Sequence, residues 1–133
     1  MTIRLYDTMA REKVDFVPRD AHRVSMYVCG PTVYDAPHVG HGRMATTFDV
    51  IRRYLDWRGL DVHFVSNVTD VDDRIIQRAA ERGTTEPELA AQYEGVYFEQ
   101  LDRVGVLRPD DTPHATEYIG DMVALIAELI DTR

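Results

Sequence analysis

Two β-forming segments separated by one amphipathic helix constrain the fold of this chain more than any other feature. Residues 24–28 and 62–65 are rich in β-branched and aromatic side chains and are bounded by turn residues, which is typical of strands. Between them, apolar residues recur at spacings of four, three and four, which predicts one face of a helix that Gly59 ends. The residues of this face are Met44, Phe48, Ile51 and Leu55. Strand, helix and strand in this order predict a βαβ unit with parallel strands, and hence an α/β fold.

Three further helices are expected after the second strand. Thr69 and Asp72 resemble a capping pair for the first, which Gly83 ends. A clearer capping box, Thr85–Glu88, opens a long helix, and residues 112–113 are expected to open the last one. The apolar positions of these two helices are Leu89, Tyr93, Val96 and Leu101, and Ile119, Met122, Ile126 and Leu129. Because no strand follows the last helix, we expect an incomplete sheet in a truncated domain.

Composition narrows the function classes. The chain has 133 residues, enough for one domain, and a net charge of −8. An acidic surface does not attract phosphate backbones, so we expect any surface that binds nucleic acid to lie outside these 133 residues. One cysteine allows no intrachain disulfide, and the longest strongly apolar run, residues 122–127, is too short to span a bilayer. We therefore expect a cytoplasmic protein without a membrane partner.

The most informative residues lie between Cys29 and His41, where the first strand leads into the helix. Ligands of open α/β sheets bind at this edge, and a helix N-terminus offers free N–H groups to phosphate. His38 and His41 are three residues apart, so one turn can place both on the same side, and Gly40 allows a flat ligand to approach the backbone. Two imidazole N–H groups would stabilise the negative charge that develops when a carboxylate attacks the α-phosphorus of ATP. On these residues alone, two histidines that merely cap the helix remain the alternative.

From Cys29 to His41 the sequence resembles the signature of class I cysteinyl-tRNA synthetases almost residue for residue, with Val39 in the isoleucine position of the His-Ile-Gly-His element. The resemblance implies a Rossmann-like parallel sheet over residues 1–133, the N-terminal half of a class I aminoacyl-tRNA synthetase catalytic domain. It further implies ATP-dependent activation of L-cysteine to cysteinyl-adenylate and transfer to tRNA(Cys), with His38 and His41 as the catalytic residues that act on the ATP phosphates. The residues that it implies in nucleotide or substrate binding are Gly30, Thr32, Tyr34, His38, Gly40, His41 and Thr69.

Cys29 has two interpretations. A cysteine at the end of a buried strand is usually a small hydrophobic residue. The resemblance implies instead a ligand of a zinc ion that binds the thiolate of the substrate cysteine, which suits the preference of zinc for thiolates over hydroxyls. The other ligands of the family lie far downstream of this point, and the chain has no second cysteine. We therefore expect Cys29 alone to bind zinc weakly.

A second segment, residues 67–76, resembles the Asn-x-Thr-Asp-x-Asp-Asp-Lys motif of the family, with Arg74 in the lysine position. It follows the second strand, so Thr69 and Asp70 are expected to face the same pocket edge, and the resemblance suggests a role in holding the amino acid. A charge-rich helix start is the alternative. A third segment, residues 113–119, resembles the scaffold that leads into the inserted domain of the family.

Class I synthetases also use a Lys-Met-Ser-Lys-Ser loop, whereas Lys13 is the only lysine here. The isolated chain is therefore expected to be inactive in aminoacylation, and a complementing chain or a homo-oligomer is a candidate partner. Two alternatives remain. One is the related cysteine ligase of mycothiol synthesis, although Pro31 favours the tRNA enzyme. The other is a non-catalytic nucleotide- or protein-binding paralogue.

Overall fold

A parallel pair of strands forms the centre of the molecule, which we describe over residues 2–132 of a computed structural model. Strand β3 (Arg23–Val28) pairs with strand β4 (Asp61–Ser66) in parallel along the whole length of both strands. Helix α1 (Val39–Trp57) connects them. The predicted βαβ unit and the α/β class are therefore confirmed.

Helix α1 covers this sheet with the apolar face predicted from its sequence. Leu55 is 3% exposed and clusters with Val24 and Val62 of the two strands, and Ile51 packs against the same cluster. Gly59 follows the helix with φ 84°, in the left-handed region that glycine adopts without strain. The predicted end of the helix is therefore confirmed.

The larger hydrophobic cluster lies between helices α2 (Asp73–Arg82) and α3 (Glu86–Arg103) and the loops that follow the two strands. Its buried members are Val33, Val68, Ile75, Ala79, Leu89, Ala90, Tyr93, Tyr97, Phe98 and Leu101. Helix α3 begins with the predicted capping box, in which Thr85 and Glu88 each accept a hydrogen bond from the other's backbone N–H. This cluster packs against the loops that follow β3 and β4, because it includes Val33 and Val68 of those loops.

Helix α2 begins later than its sequence suggested. Its N-cap is Asp72, whose carboxylate accepts a hydrogen bond from the N–H of Arg74 at 2.9 Å. Thr69 is held in an extended conformation, because its N–H donates to the carbonyl of Pro31 at 2.9 Å. The prediction of a Thr69–Asp72 capping pair is therefore wrong. Gly83, with φ 66°, ends the helix as predicted.

Residues 111–114 run alongside the end of β4 and do not begin a helix. The N–H of Val68 donates to the carbonyl of Pro113 at 2.9 Å, and single parallel bridges join this segment to β4 and to the residues after it. The prediction that Thr112 and Pro113 open the last helix is therefore wrong, because these long-range hydrogen bonds keep the segment extended.

The last helix, α4 (Ile119–Asp131), follows a 3-10 turn (Ala115–Tyr118). The predicted apolar face is present, but none of the helix residues is buried. The exposed positions of the predicted face are Ile119, Met122, Ile126 and Leu129. Within residues 2–132, this face has no apolar layer packed over it.

An N-terminal hairpin precedes the parallel sheet and was not predicted from the sequence. Strand β1 (Arg4–Asp7) pairs antiparallel with strand β2 (Glu12–Asp15). Ile3 and Phe16 flank the hairpin and pack against the small cluster under β3 and β4. Among the described residues, no helix combines the length and the apolar character needed to cross a membrane.

Candidate active site

The carboxyl ends of β3 and β4 meet at one edge of the sheet, and the residues after them stay in contact. A parallel bridge joins Thr32 to Thr69, and the N–H of Val33 donates to the carbonyl of Thr69 at 3.2 Å. Two segments singled out in the sequence, residues 29–41 and 67–76, are therefore held together by their backbones. This is the edge at which open α/β sheets bind ligands.

Gly30 is a point of very close approach between these two segments. A Cβ atom at this position would lie 1.6 Å from the carbonyl oxygen of Asn67, so only glycine fits. The N–H of Gly30 donates to Oδ1 of Asn67 at 2.9 Å. Backbone packing thus requires glycine here, independently of the ligand-binding role that the family resemblance implies.

His38 and His41 form the N-terminal cap of α1. Nδ1 of His38 accepts from the N–H of Gly40 at 3.1 Å, and Nδ1 of His41 accepts from the N–H of His38 at 3.1 Å. A backbone N–H can only donate, so each Nδ1 is unprotonated and each neutral ring carries its hydrogen on Nε2. The capping arrangement is therefore present, and it leaves the Nε2–H group of each ring outside the cap.

The two imidazoles lie side by side, as their spacing predicted. Their ring centroids are 4.1 Å apart, and the His41 ring meets the ring of Tyr97 edge-on at 6.2 Å. His38 is exposed, whereas His41 is half-buried. Burial of the ring and, after it, the proximity of His38 lower the pKa of His41 below its ordinary value of 6.5. His41 is therefore held in the neutral form that the cap requires.

Gly40 lies directly against the ring of His38. A Cβ atom at position 40 would lie 2.8 Å from Cε1 and 2.9 Å from Nδ1 of that ring. The missing side chain therefore leaves room for the ring of His38, which caps the helix. No acidic residue occupies the first turn of α1, so the positive end of its dipole suits an anion.

Thr32 and Tyr34 share one cationic neighbour, Arg74. Its guanidinium carbon lies 4.7 Å from the centroid of the Tyr34 ring, and one of its nitrogens lies 3.5 Å from Oγ1 of Thr32. Asp72 anchors the same guanidinium at 2.9 Å. Asp72 thus serves as a helix cap and as the partner of Arg74, in keeping with a charge-rich helix start.

Cys29 is exposed at the end of β3. The interpretation of Cys29 as a buried hydrophobic residue is therefore wrong, because the strand ends before it and its side chain reaches the surface. Its Sγ lies 3.8 Å from the carbonyl of Gly30. Within residues 2–132, no three histidine, cysteine, aspartate or glutamate side chains come together as a metal site.

Thr69 and Asp70 were expected to face the same pocket edge, but their side chains bind different partners. The hydroxyl oxygen of Thr69 accepts a hydrogen bond from the side chain of Asn67 at 3.2 Å. The carboxylate of Asp70 is bound instead by Thr116, through its N–H at 2.9 Å and its hydroxyl at 2.5 Å. Asp70 therefore fastens the 3-10 turn before α4, while Thr69 stays with the sheet edge.

The histidines occupy an open edge and not an enclosed pocket. A crevice of only 10 Å³ adjoins His41, Thr32 and Tyr97. A cavity of 520 Å³ lies elsewhere, between α2, α3 and the 3-10 turn, and contains neither His38 nor His41 in its wall. A ligand at the histidines would therefore bind across the surface of the sheet edge.

Sequence reasoning gave no role to Asp35 or to Asn67, which support this edge. Asp35 pairs with Arg78 of α2 at 2.6 Å and accepts a hydrogen bond from the N–H of Ala36 at 2.8 Å. The hydrogen bond from Ala36 and, after it, the charge of Arg78 lower the pKa of Asp35. Arginines at positions 74, 78 and 82, one helical turn apart, were the available signal for a cationic row facing this loop.

Comparison with known proteins gives a consistent family. A family model described as tRNA synthetases class I (C) catalytic domain matches residues 15–133. A protein of Solidesulfovibrio magneticus named cysteine–tRNA ligase is 51% identical over 130 residues, which is 98% of this chain and 27% of that protein. A protein of the same name from Trichlorobacter lovleyi is 49% identical over 131 residues, again 98% and 27%. The chain thus spans about a quarter of the length of the curated relatives that it matches.

Solved structures show the same fold at lower sequence identity. Mycobacterium tuberculosis methionyl-tRNA synthetase in complex with methionyl-adenylate matches with a TM-score of 0.66 and 22% identity, over 71% of this chain and 18% of that chain. A second structure of methionyl-tRNA synthetase from that organism, bound by methionyl-adenylate, matches with a TM-score of 0.62 over the same shares. The architecture around the parallel sheet is therefore that of a class I synthetase catalytic domain.

Proposed function

The chain belongs to the tRNA synthetases class I (C) catalytic domain family, and from this premise we propose that it carries the first part of a cytoplasmic cysteine–tRNA ligase active site. The complete protein would activate L-cysteine with ATP to cysteinyl-adenylate and transfer the cysteinyl group to tRNA(Cys). Residues 1–133 would supply the edge that receives ATP and the amino acid.

The capping geometry of His38 and His41 carries this proposal. Both Nδ1 atoms are engaged by backbone N–H groups, so each ring presents a hydrogen on Nε2 without needing a positive charge. Two such donors beside the N-terminus of a 19-residue helix form an environment suited to phosphate oxygens. When the cysteine carboxylate attacks the α-phosphorus, charge builds on these oxygens, and each donor would stabilise it.

The other binding residues extend along the same edge. We propose that Gly30 and Gly40 belong to the binding edge, where their missing side chains leave room for Asn67 and His38, and that Thr32 and Tyr34 bind the nucleotide beside the Arg74 guanidinium, which lies 4.7 Å from the Tyr34 ring. Thr69 would contact the amino acid, because a parallel bridge holds it beside Thr32 in the segment that follows β3.

Cys29 is proposed as one ligand of a zinc ion. Its exposed thiol suits that role, since thiolates are preferred zinc ligands. Residues 2–132 hold no cluster that could complete a zinc site, so the described part of the chain does not itself fit the ion. The reaction steps proposed here therefore depend on the histidines and the helix N-terminus alone.

The test is calorimetric binding of ATP and of a non-hydrolysable cysteinyl-adenylate analogue to the purified chain. The informative variant is His38→Asn with His41→Gln, because asparagine at an N-cap and glutamine at the third helical position preserve a capping box while removing both imidazoles. His22→Ala, in an exposed loop, is the matched histidine control.

We expect both ligands to bind the wild type and the control, and binding to be lost in the double variant although its total helix content, measured by circular dichroism, is unchanged. Retained binding in the double variant would show that the backbone, and not the imidazoles, holds the phosphates. A folded wild-type chain that binds neither ligand would contradict the proposal of a preformed half-site.

A further inference from the structure

Asn67 joins the two segments that build the candidate site. Its Oδ1 accepts hydrogen bonds from the N–H of Gly30 and from the hydroxyl of Tyr27, both at 2.9 Å. Its Nδ2 donates to Oγ1 of Thr69 at 3.2 Å. The side chain of Asn67 therefore links Tyr27 of strand β3, Gly30 and Thr69, the residue proposed to contact the amino acid.

The orientation of this carboxamide follows from its partners. The backbone N–H of Gly30 can only donate, so the Asn67 atom that faces it must be the oxygen. The NH2 group then faces Thr69, whose hydroxyl oxygen accepts from it. Because the Thr69 oxygen is the acceptor in this bond, the hydroxyl hydrogen of Thr69 must point away from Asn67.

We propose that Asn67 is a positioning residue that makes Thr69 a hydrogen-bond donor to the aminoacyl part of the ligand. The acceptor would be a carbonyl or carboxylate oxygen of the bound amino acid or its adenylate. This inference rests on the proposed function, which places the aminoacyl group at this edge. Asn67 itself touches no substrate and acts through Thr69.

Close packing makes this link rigid. The carbonyl of Asn67 fills the space where Gly30 would carry a side chain, and Asn67 and Thr69 are both half-buried. A rotation of the Asn67 amide would break the bonds to Gly30 and Tyr27 together. The three hydrogen bonds of the Asn67 side chain thus set the direction in which the Thr69 hydroxyl can donate.

The first test needs no ligand. Asn67 is the only asparagine of the chain, so selective 15N-asparagine labelling gives a single side-chain NH2 signal pair in NMR spectra. We expect the Thr69-bonded hydrogen to exchange slowly with solvent, and Thr69→Val to raise its exchange rate at least about tenfold. Thr69→Ser keeps the acceptor and should restore slow exchange. An exchange rate that is the same in the wild type and in Thr69→Val would overturn the proposal.

The second test separates positioning from folding. Asn67→Asp keeps the two acceptor bonds to Gly30 and Tyr27 but replaces the donor that faces Thr69 with an acceptor, which draws the Thr69 hydrogen inward. We expect the affinity for the cysteinyl-adenylate analogue to fall about tenfold, while the affinity for ATP is unchanged. Equal loss of both affinities, or loss of neither, would overturn the inference.

The failures of the two proposals are distinguishable. A wild-type chain that binds neither ligand contradicts the proposed function, whereas the NMR exchange rates still decide whether Asn67 orients Thr69. Slow exchange together with normal ATP binding and an Asn67→Asp variant that retains full analogue affinity would contradict only the role assigned to Asn67.

Discussion

At the scale of single residues, two glycines set the geometry of the candidate site by leaving room for a neighbour. The space beside Gly40 holds the ring of His38, and the space beside Gly30 holds the carbonyl of Asn67. In the first case the neighbour is the end of a side chain, which can move. In the second it is backbone, which cannot. A methyl group at position 40 would therefore change the site while sparing the fold.

Gly40→Ala should displace the His38 imidazole and remove its hydrogen bond to the helix N-terminus. The added methyl group favours the helix by about 0.5–1 kcal/mol, whereas loss of the cap costs about 0.5–2 kcal/mol. Gly42→Ala is the matched control, because nothing lies within 4 Å of a Cβ built there. Urea unfolding should show stabilisation for Gly42→Ala only, and ATP calorimetry should show weakened binding for Gly40→Ala only. The same result for both variants would refute the contact with His38.

Two histidines should give stability opposite dependences on pH. Burial lowers the pKa of His41 from 6.5, so the unfolded chain takes up the proton first and the stability contributed by its neutral form is lost as pH falls from 6.5 through the folded pKa. The hydrogen bond to Glu94 at 2.9 Å raises the pKa of His114. Its contribution is present below 6.5 and is lost as pH rises through the folded pKa.

NMR titration of the histidine ring hydrogens should therefore place the midpoint of His41 below, and that of His114 above, the value of an unstructured histidine. Replacing Glu94 with glutamine should lower the midpoint of His114 and leave that of His41 unchanged. Midpoints in the reverse order would contradict the burial of His41 and the ion pair of His114.

At the scale of elements, two carboxylates hold the segment after α3 against helix α1 and strand β4. Asp49 of α1 is 7% exposed, and it accepts hydrogen bonds from the N–H of Leu107 at 3.1 Å and from Arg53 at 2.7 Å. Asp110 accepts from the N–H of Phe64 at 2.7 Å. The returning segment is therefore held by polar contacts to a helix and a strand that lie far from it in sequence.

Asp49→Ala should destabilise the fold by about 1–3 kcal/mol, because it leaves the N–H of Leu107 without its acceptor. Asp49→Asn keeps an acceptor oxygen for Leu107 and should cost less. Urea unfolding measures the free energies, and hydrogen exchange of the Leu107 amide identifies the site of the change. Equal losses in the two variants would mean that the charge, and not the hydrogen bond to Leu107, matters.

At the scale of the whole molecule, the described hydrophobic core is uneven. The larger cluster is centred on α2 and α3, where Leu89 is 1% exposed. Helix α4 has no buried residue, and Leu129 on its predicted apolar face is 57% exposed. The predicted amphipathic pattern is therefore present, but its apolar face is not buried within residues 2–132.

The same substitution should consequently have very different effects at these two sites. Leu89→Ala should lower the free energy of unfolding by about 2–5 kcal/mol, because it leaves a cavity in the core. Leu129→Ala should change it by less than about 0.5 kcal/mol. Chemical denaturation of both variants checks this, and a large loss in Leu129→Ala would show that α4 packs against the body of the chain in solution.

Local sequence patterns predicted the features that depend only on residues close to one another in the sequence. The apolar spacing predicted α1 because residues one turn apart share a helix face, and the end signals at Gly59 and Gly83 act through their own φ angles. The capping box at Thr85 likewise needs only residues three apart. The signature at residues 29–41 could be recognised because it is one contiguous segment, and the family match over residues 15–133 agrees with it.

Only the tertiary structure decided what depends on contacts between distant segments. A hydrogen bond to the carbonyl of Pro31 keeps Thr69 out of α2, and the bond from Val68 keeps Pro113 out of a helix. The junction at Asn67 joins residues about forty positions apart, which no local pattern encodes. The sequence by itself therefore determined the helices, the two strands of the parallel sheet and the signature, whereas long-range hydrogen bonds decided where two helices begin and how the candidate site is held together.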